Sequence, residues 1–172
     1  MRRVAGLAAC LAALLAAPAG AVTQREANAM QQLQTGVLAE LNATRHQHGL
    51  PPLRSSSSLA AAARQHSVEM AARGYFSHTS ANGTAFDKRI ARFYPIGRYG
   101  YWSVGENLLW SSPDVDPAGA LRMWMNSPEH KANILNGRWR QIGVSAVHVD
   151  SAPGVYGGAP VTIITTDFGV RR

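Results

Sequence analysis

The C-terminal quarter of this chain leaves it few ways to fold. Pro160 to Phe168 reads as a β-strand, with Val161, Ile163 and Ile164 as its apolar positions. Arg140 to Val149 is also β-rich: Ile142, Val144 and Ala146 alternate before Val147 and His148 break the pattern. Gly154 to Gly158 supplies a turn between them, which predicts an antiparallel hairpin. What precedes the hairpin is mostly helical. Met30, Leu33, Val37 and Leu41 recur at helical spacing and predict an amphipathic helix from about Arg25 to His48, stopped by Gly49 and kept from resuming by Pro51-Pro52. Ser55 to Ser58 offer a cap for a second helix, from about Leu59 to Arg73, which Gly74 ends. Asn82-Gly83 marks a turn, and a short helix from about Phe86 to Tyr94 is stopped by Pro95. Ser103 to Trp110 has strand composition, and Pro117 to Met125 reads as a third helix. Ser127 reads as an N-cap with Pro128 at the first helical position, opening a short helix to Leu135. Helices before and between strands, with a hairpin at the end, predict an α+β layered fold in one domain without internal repeats.

The N-terminal segment is of another kind. Met1-Arg2-Arg3 is followed by an uncharged apolar run from Val4 to Ala17 and by small residues at Ala17-Pro18-Ala19 and Ala19-Gly20-Ala21. This is the pattern of a secretory signal peptide over residues 1–21, which leaves a domain over 22–172 that is secreted or periplasmic. The run falls short of the roughly 18 residues that span a bilayer, and no later segment resembles a transmembrane helix. Cys10 is the only cysteine, and it stands too near the start for lipid attachment. Without cysteine the exported domain has no disulfide, no thiolate metal site and no cysteine nucleophile, and its stability comes from packing. A domain of about 150 residues buries a core large enough for that. The net charge is +7, with the arginines scattered apart from Arg171-Arg172 and a looser group at Lys88, Arg89, Arg92 and Arg98. No nucleic-acid motif accompanies the charge. It therefore reads as surface solubility, or as adherence to anionic lipid, envelope polymer or cell wall.

Three polar breaks between apolar stretches carry the candidate chemistry: Ser77-His78, Gly105-Glu106-Asn107 and Ser127-Pro128-Glu129-His130. Loop residues flanked by packed elements are where binding and catalytic groups concentrate. Two imidazoles and a carboxylate suit a zinc site with an open position, or an acid/base site. Glu106 lies in an apolar strand and, if buried, needs a histidine, a metal or backbone donors as partner. Glu129 falls in the first turn of a helix, where the dipole favours a carboxylate. His130 follows it, where the same dipole favours a neutral ring able to bind a metal or accept a proton. His66 lies on the apolar stripe of the second helix and reads as a hydrogen-bonded core residue. Asn42, Arg45, Trp124, Asn133 and Asp167 read as structural residues that fix helix ends and loops.

Taken in order, six groups of residues resemble the bacterial branch of the CAP superfamily, whose domain is also called the SCP domain. They are Leu41-Asn42 with Arg45 and Gly49 to Leu53; Phe76-Ser77-His78 with Gly83; Gly105-Glu106-Asn107; Trp124 to Leu135; Ile142-Gly143-Val144; and Thr166-Asp167-Phe168-Gly169. The resemblance implies a three-layer α-β-α sandwich with a broad cleft. In many members two histidines and two acidic residues line that cleft and can hold a divalent metal such as zinc. His78, Glu106 and His130 match three of the four. The fourth acid follows a tryptophan in eukaryotic members, but here Trp124 is followed by Met125-Asn126-Ser127, and Glu129 is the nearest carboxylate. What the resemblance implies for function is first a binding module for a lipid, peptide or envelope ligand. A metal-assisted, peptidase-like hydrolase in the same cleft is the alternative, although H-E-x-x-H and G-x-S-x-G are both absent. A non-catalytic envelope or host-interaction protein is a third. With no thiolates and no secure fourth ligand, any metal is expected to bind weakly through His78 and His130, with Glu106 as ligand or orienter.

Overall fold

The last strand accounts for the layering. In the computed structural model, which describes residues 19–172 and their side chains from Thr23 onward, Val161–Arg171 (β4) is buried at every position except Arg171. A strand covered on one face alternates, whereas one buried without interruption is covered on both. β4 pairs antiparallel with Gln141–Val149 (β3) on one side and with Trp102–Ser111 (β2) on the other. The two-residue strand Arg54–Ser55 (β1) joins β3 in parallel, giving the order β1-β3-β4-β2. Residues 1–18 of the expected leader, Cys10 among them, lie outside the described residues. Among those described, no helix is long and apolar enough to cross a membrane.

Helices cover both faces of this sheet. Ala19–Gln47 (α1), Pro117–Met125 (α4) and Pro128–Ile134 (α5) pack Leu33, Val37, Leu41, Trp124 and Ile134 against Leu109, Ile142, Val144, Ile164 and Phe168. Ser57–Arg73 (α2) and Phe86–Ala91 (α3) lie on the other face, where Met70 meets Leu108 and Ile163, and Leu59 meets Ile90 and Tyr94. The expected three-layer α-β-α sandwich is the observed one. α2 lies directly on β3, because Gly143 presents no side chain: a Cβ there would sit 2.0 Å from the backbone nitrogen of Ala60.

Most boundaries match the sequence reading, and the differences have physical causes. α1 begins at Ala19 rather than near Arg25; Thr23 to Ala29 are exposed, so no apolar periodicity marks those turns. α2 begins at Ser57, capped by Ser56. The short helix α3 ends at Ala91, and Tyr94, inside the helix expected there, is a buried turn residue. Val147 and His148 do not interrupt β3: Val147 packs on the α2 side, so the loss of alternation reflects cover on both faces. Asn42 and Arg45 are structural as expected. Asn42 exchanges hydrogen bonds with the backbone of Leu53. Arg45, fully buried, donates to the carbonyls of Pro51, Ile134 and Asn136, tying the end of α1 to two loops. Its removal leaves three carbonyls without a donor. Arg45→Ala should therefore lower unfolding stability by about 3–5 kcal/mol in urea titration. Arg45→Lys, lacking the planar fork, should recover only a minor part of this loss.

Candidate functional site

β2 is an edge strand, and the candidate site straddles its free side. Side chains of successive residues point to opposite faces of a strand. Glu106 accordingly faces the α2 and α3 layer, and Asn107 faces α5. Between them Gly105 is as small as its surroundings require: a Cβ there would lie 2.6 Å from Asn133 Oδ1 and 2.9 Å from a ring carbon of Trp139.

The Glu106 side chain has no exposure. Two cationic or donor groups meet it. His78 Nδ1–H donates to Oε1 at 2.8 Å, and Arg89 pairs with Oε2. With Nδ1–H engaged, Nε2 is the free nitrogen of the His78 ring, whose side chain is half exposed. Arg89 is buried and does more than balance charge: it also donates to the His78 carbonyl at 2.9 Å and to Ser80 Oγ at 3.2 Å. His66, on α2, donates from Nε2–H to the Ser77 carbonyl at 2.8 Å. Burial holds His66 below its ordinary value, with the Arg89 charge adding to this and Glu106 opposing it. The loop that carries His78 is thus pinned at two successive carbonyls by buried side chains.

Asp167 corrects the sequence reading. It fixes no loop or helix end; it is the cross-strand neighbour of Glu106 on β4 and is fully buried. No donor among the described residues reaches either of its oxygens. Burial, and then the Glu106 carboxylate beside it, push Asp167 well above the usual carboxylate range. Its neutral form is thereby favoured, and the proton of that form can serve as donor toward Glu106. Arg89 and Asp167 were both missed as site residues. Arg89 stands 17 residues from its partner in an unremarkable helical pattern, and the one available signal was that a buried glutamate in an edge strand needs a cation.

On the α5 side Asn107 donates to the His130 carbonyl at 3.1 Å and accepts from Asn133 at 2.9 Å, while Asn133 also reaches the Glu106 carbonyl at 3.2 Å. Trp124 Nε1–H donates to the carbonyl of Leu108 at 3.0 Å. The Gly105-Glu106-Asn107 run therefore positions both imidazoles: Glu106 orients the ring of His78, and Asn107 fixes the backbone of His130. Burial lowers His130, and the charge of His78 across the cleft adds to this, while Glu129 opposes it. Glu129 itself is exposed and accepts a hydrogen bond from Ser127 Oγ at 3.2 Å. Ser127 is the N-cap residue as expected, but its hydroxyl serves Glu129 rather than a backbone N–H. Among the described residues no group of three or more His, Cys, Asp or Glu is arranged to hold a metal ion. Both Glu106 oxygens are engaged, so the available donors are the two imidazoles, which do not make a closed centre.

Beside His130 the cleft deepens into a cavity of about 260 Å³ lined by Phe76, Leu108, Trp110, Met123 and Trp124. Phe76 and Met123 are 37% and 48% exposed, high for large apolar side chains.

Comparison with known proteins agrees with this architecture. The model of the Cysteine-rich secretory protein family (CAP) matches residues 38–160, and the chain belongs to that family. It is 35% identical over 111 residues to the uncharacterized protein YkwD of Bacillus subtilis, a match covering 64% of this chain and 40% of that protein. Among solved structures it is similar to an extracellular protein containing an SCP domain from Bacillus anthracis, with a TM-score of 0.63 and 28% identity over 91% of this chain and 45% of the other. An outer surface protein from Borrelia burgdorferi shares the fold, with a TM-score of 0.58 at 18% identity over 79% of this chain and 90% of that one. The chain thus spans less than half the length of YkwD and of the Bacillus anthracis protein.

The raised value of Asp167 has a measurable consequence. A carboxyl whose folded value is raised contributes stability that is fully present below its unfolded value and is lost as pH rises through the folded one. Asp167→Asn keeps a neutral side chain of the same shape at every pH. Its stability relative to the parent should rise from about pH 4 upward by up to about 1.4 kcal/mol per pH unit until the folded value is passed. A pH-independent difference in chemical denaturation would show that Asp167 ionises normally.

Proposed function

We propose that this protein is a secreted binding module whose cleft takes an amphipathic ligand, the lipid class best matching its lining. The observation that carries the reading is the apolar cavity beside His130, where Phe76 and Met123 stay exposed while His130 and Ser127 supply the polar part of the lining. A concave apolar surface with a few fixed polar groups is the usual form of a small-ligand site. The apolar part of the ligand lies against Phe76, Leu108, Trp110 and Met123, and its polar end is met by His130 and by His78 Nε2. Secretion is supported by the leader-like residues 1–21 and by the similarity to the extracellular Bacillus anthracis protein.

The His78–Glu106 pair is also how a carboxylate orients a general base, so turnover of a bound ligand is the second reading. It requires a water or substrate hydroxyl at His78 Nε2, and a product appearing with time separates it from simple binding.

Trp110 and Trp124 report on the cavity. Titration with a medium-chain fatty acid should change tryptophan emission, and Phe76→Asp or Met123→Asp should weaken binding about tenfold, a loss of about 1.4 kcal/mol of apolar contact. Unchanged emission with every amphiphile tested, or full binding by both variants, would remove this reading.

Any divalent ion is held in this proposal by the two imidazoles alone and exchanges freely, with Glu106 orienting His78. Folding then owes nothing to metal. Chelator should move the melting temperature by no more than about 2 °C, and His78→Ala with His130→Ala should abolish zinc binding while the chain stays folded. A large loss of stability on chelation would instead make the site a structural centre.

A further inference from the structure

The scattered arginines of the sequence are gathered by the sheet. β1, β2 and β3 all begin, and β4 ends, at the same end of the sheet, as follows from β1 running parallel to β3 and β4 running antiparallel to both of its neighbours. Arg54 opens β1, Arg140 precedes β3 and Arg171 closes β4. Two adjoining pockets result. One, of about 210 Å³, is lined by Arg138, Arg140, Arg171 and Arg172 with Tyr101. The other, of about 500 Å³, is lined by Arg54, Arg140 and Arg171 with Tyr99 and Pro51-Pro52. Arg140 and Arg171 belong to both, so the two form one trough.

No Asp or Glu side chain lines either pocket, and the ion pairs of the described residues involve none of these arginines. The excess charge is felt internally: after burial, it is Arg140 that lowers Arg45. Two of the guanidiniums are held in place. Arg140 Nη1 donates to the Gly137 and Trp139 carbonyls at 2.7 and 2.8 Å. Arg171 donates to the Pro95 carbonyl at 3.0 Å and lies over the Tyr94 ring at 3.7 Å from its centroid. Uncompensated positive charge on anchored side chains is pre-organised for an anion, because little further ordering is needed on binding.

We propose that this trough is a binding site for a linear polyanion carrying phosphate groups, separate from the His78–His130 cleft. Donors converge on it from β1, from β4 and from the loop that leads into β3, which suits the tetrahedral array of phosphate oxygens better than the planar pair of a carboxylate. Two joined pockets suit successive charged groups along one chain better than a single ion. The site lies at the Trp102 end of β2, about 13 Å along the strand from Glu106, so cleft and trough are independently occupied.

Binding of inorganic polyphosphate to the purified chain tests this, with vesicles containing phosphatidylglycerol as a second arm. Arg54 and Arg138 are exposed, and their side chains make no hydrogen bond to the fold. Arg54→Gln with Arg138→Gln is therefore expected to fold normally, confirmed by an unchanged melting temperature. At about 0.15 M salt the parent should bind, this pair should bind about tenfold more weakly, and Arg25→Gln with Arg122→Gln, the same change in net charge elsewhere, should stay within about twofold. Equal weakening by both pairs would reduce the effect to net charge and overturn the site. Absence of polyphosphate binding by the parent would overturn it too, and so would attachment to vesicles without binding to the soluble chain.

Discussion

A carboxylate without exposure, placed in the edge strand of a sheet, sets the terms for everything around it. Glu106 is met by Arg89 from α3, by His78 from the loop after α2 and by Asp167 from β4, so one side chain ties four separate parts of the chain together. Burying a charge is tolerable only when it is paired and its remaining lone pairs are satisfied. That requirement makes Arg89 a buried residue and, through its second amino group, an anchor for the His78 carbonyl and the Ser80 hydroxyl. The exposed half of the His78 ring is therefore carried by a rigid base. Function and fold are coupled here: the ring that faces the cleft is aimed by the same carboxylate that organises the layer beneath it.

The frame was legible because its signals are local. Helix periodicity in α1, the serine run before α2, Ser127-Pro128 before α5 and the turn before β4 each act within a few residues. β1 was invisible because two residues carry no periodicity; only its parallel partner β3, far along the chain, makes it a strand. The extra length of β4 beyond Phe168 and the unbroken run of β3 were hidden for a related reason, since a strand covered on both faces does not alternate.

The candidate site was legible in part. His78, Glu106 and His130 announce themselves as polar residues in apolar surroundings, and Glu106 was correctly seen to need a partner. Which partner was not readable. Arg89 looks like any basic residue on a short helix until the fold brings it to Glu106. Asp167 reads as a structural residue near the end of a predicted strand, and nothing local shows that it occupies the register directly opposite Glu106. The basic trough failed for the same reason on a larger scale: Arg54, Arg140 and Arg171 are remote in sequence, and only the strand directions place them at one end. Pairings across the sheet are the information that a single pass along the chain does not hold.

Edge strands with bare backbone groups invite another chain to add itself to the sheet. Here one edge is only two residues long. At the other, Asn133 and Trp124 donate to the outward carbonyls of Glu106 and Leu108, occupying with side chains the places a neighbouring strand would take. The edge beside the cleft is in this way screened against strand addition, and loss of either donor would bare a backbone carbonyl to which another chain could pair.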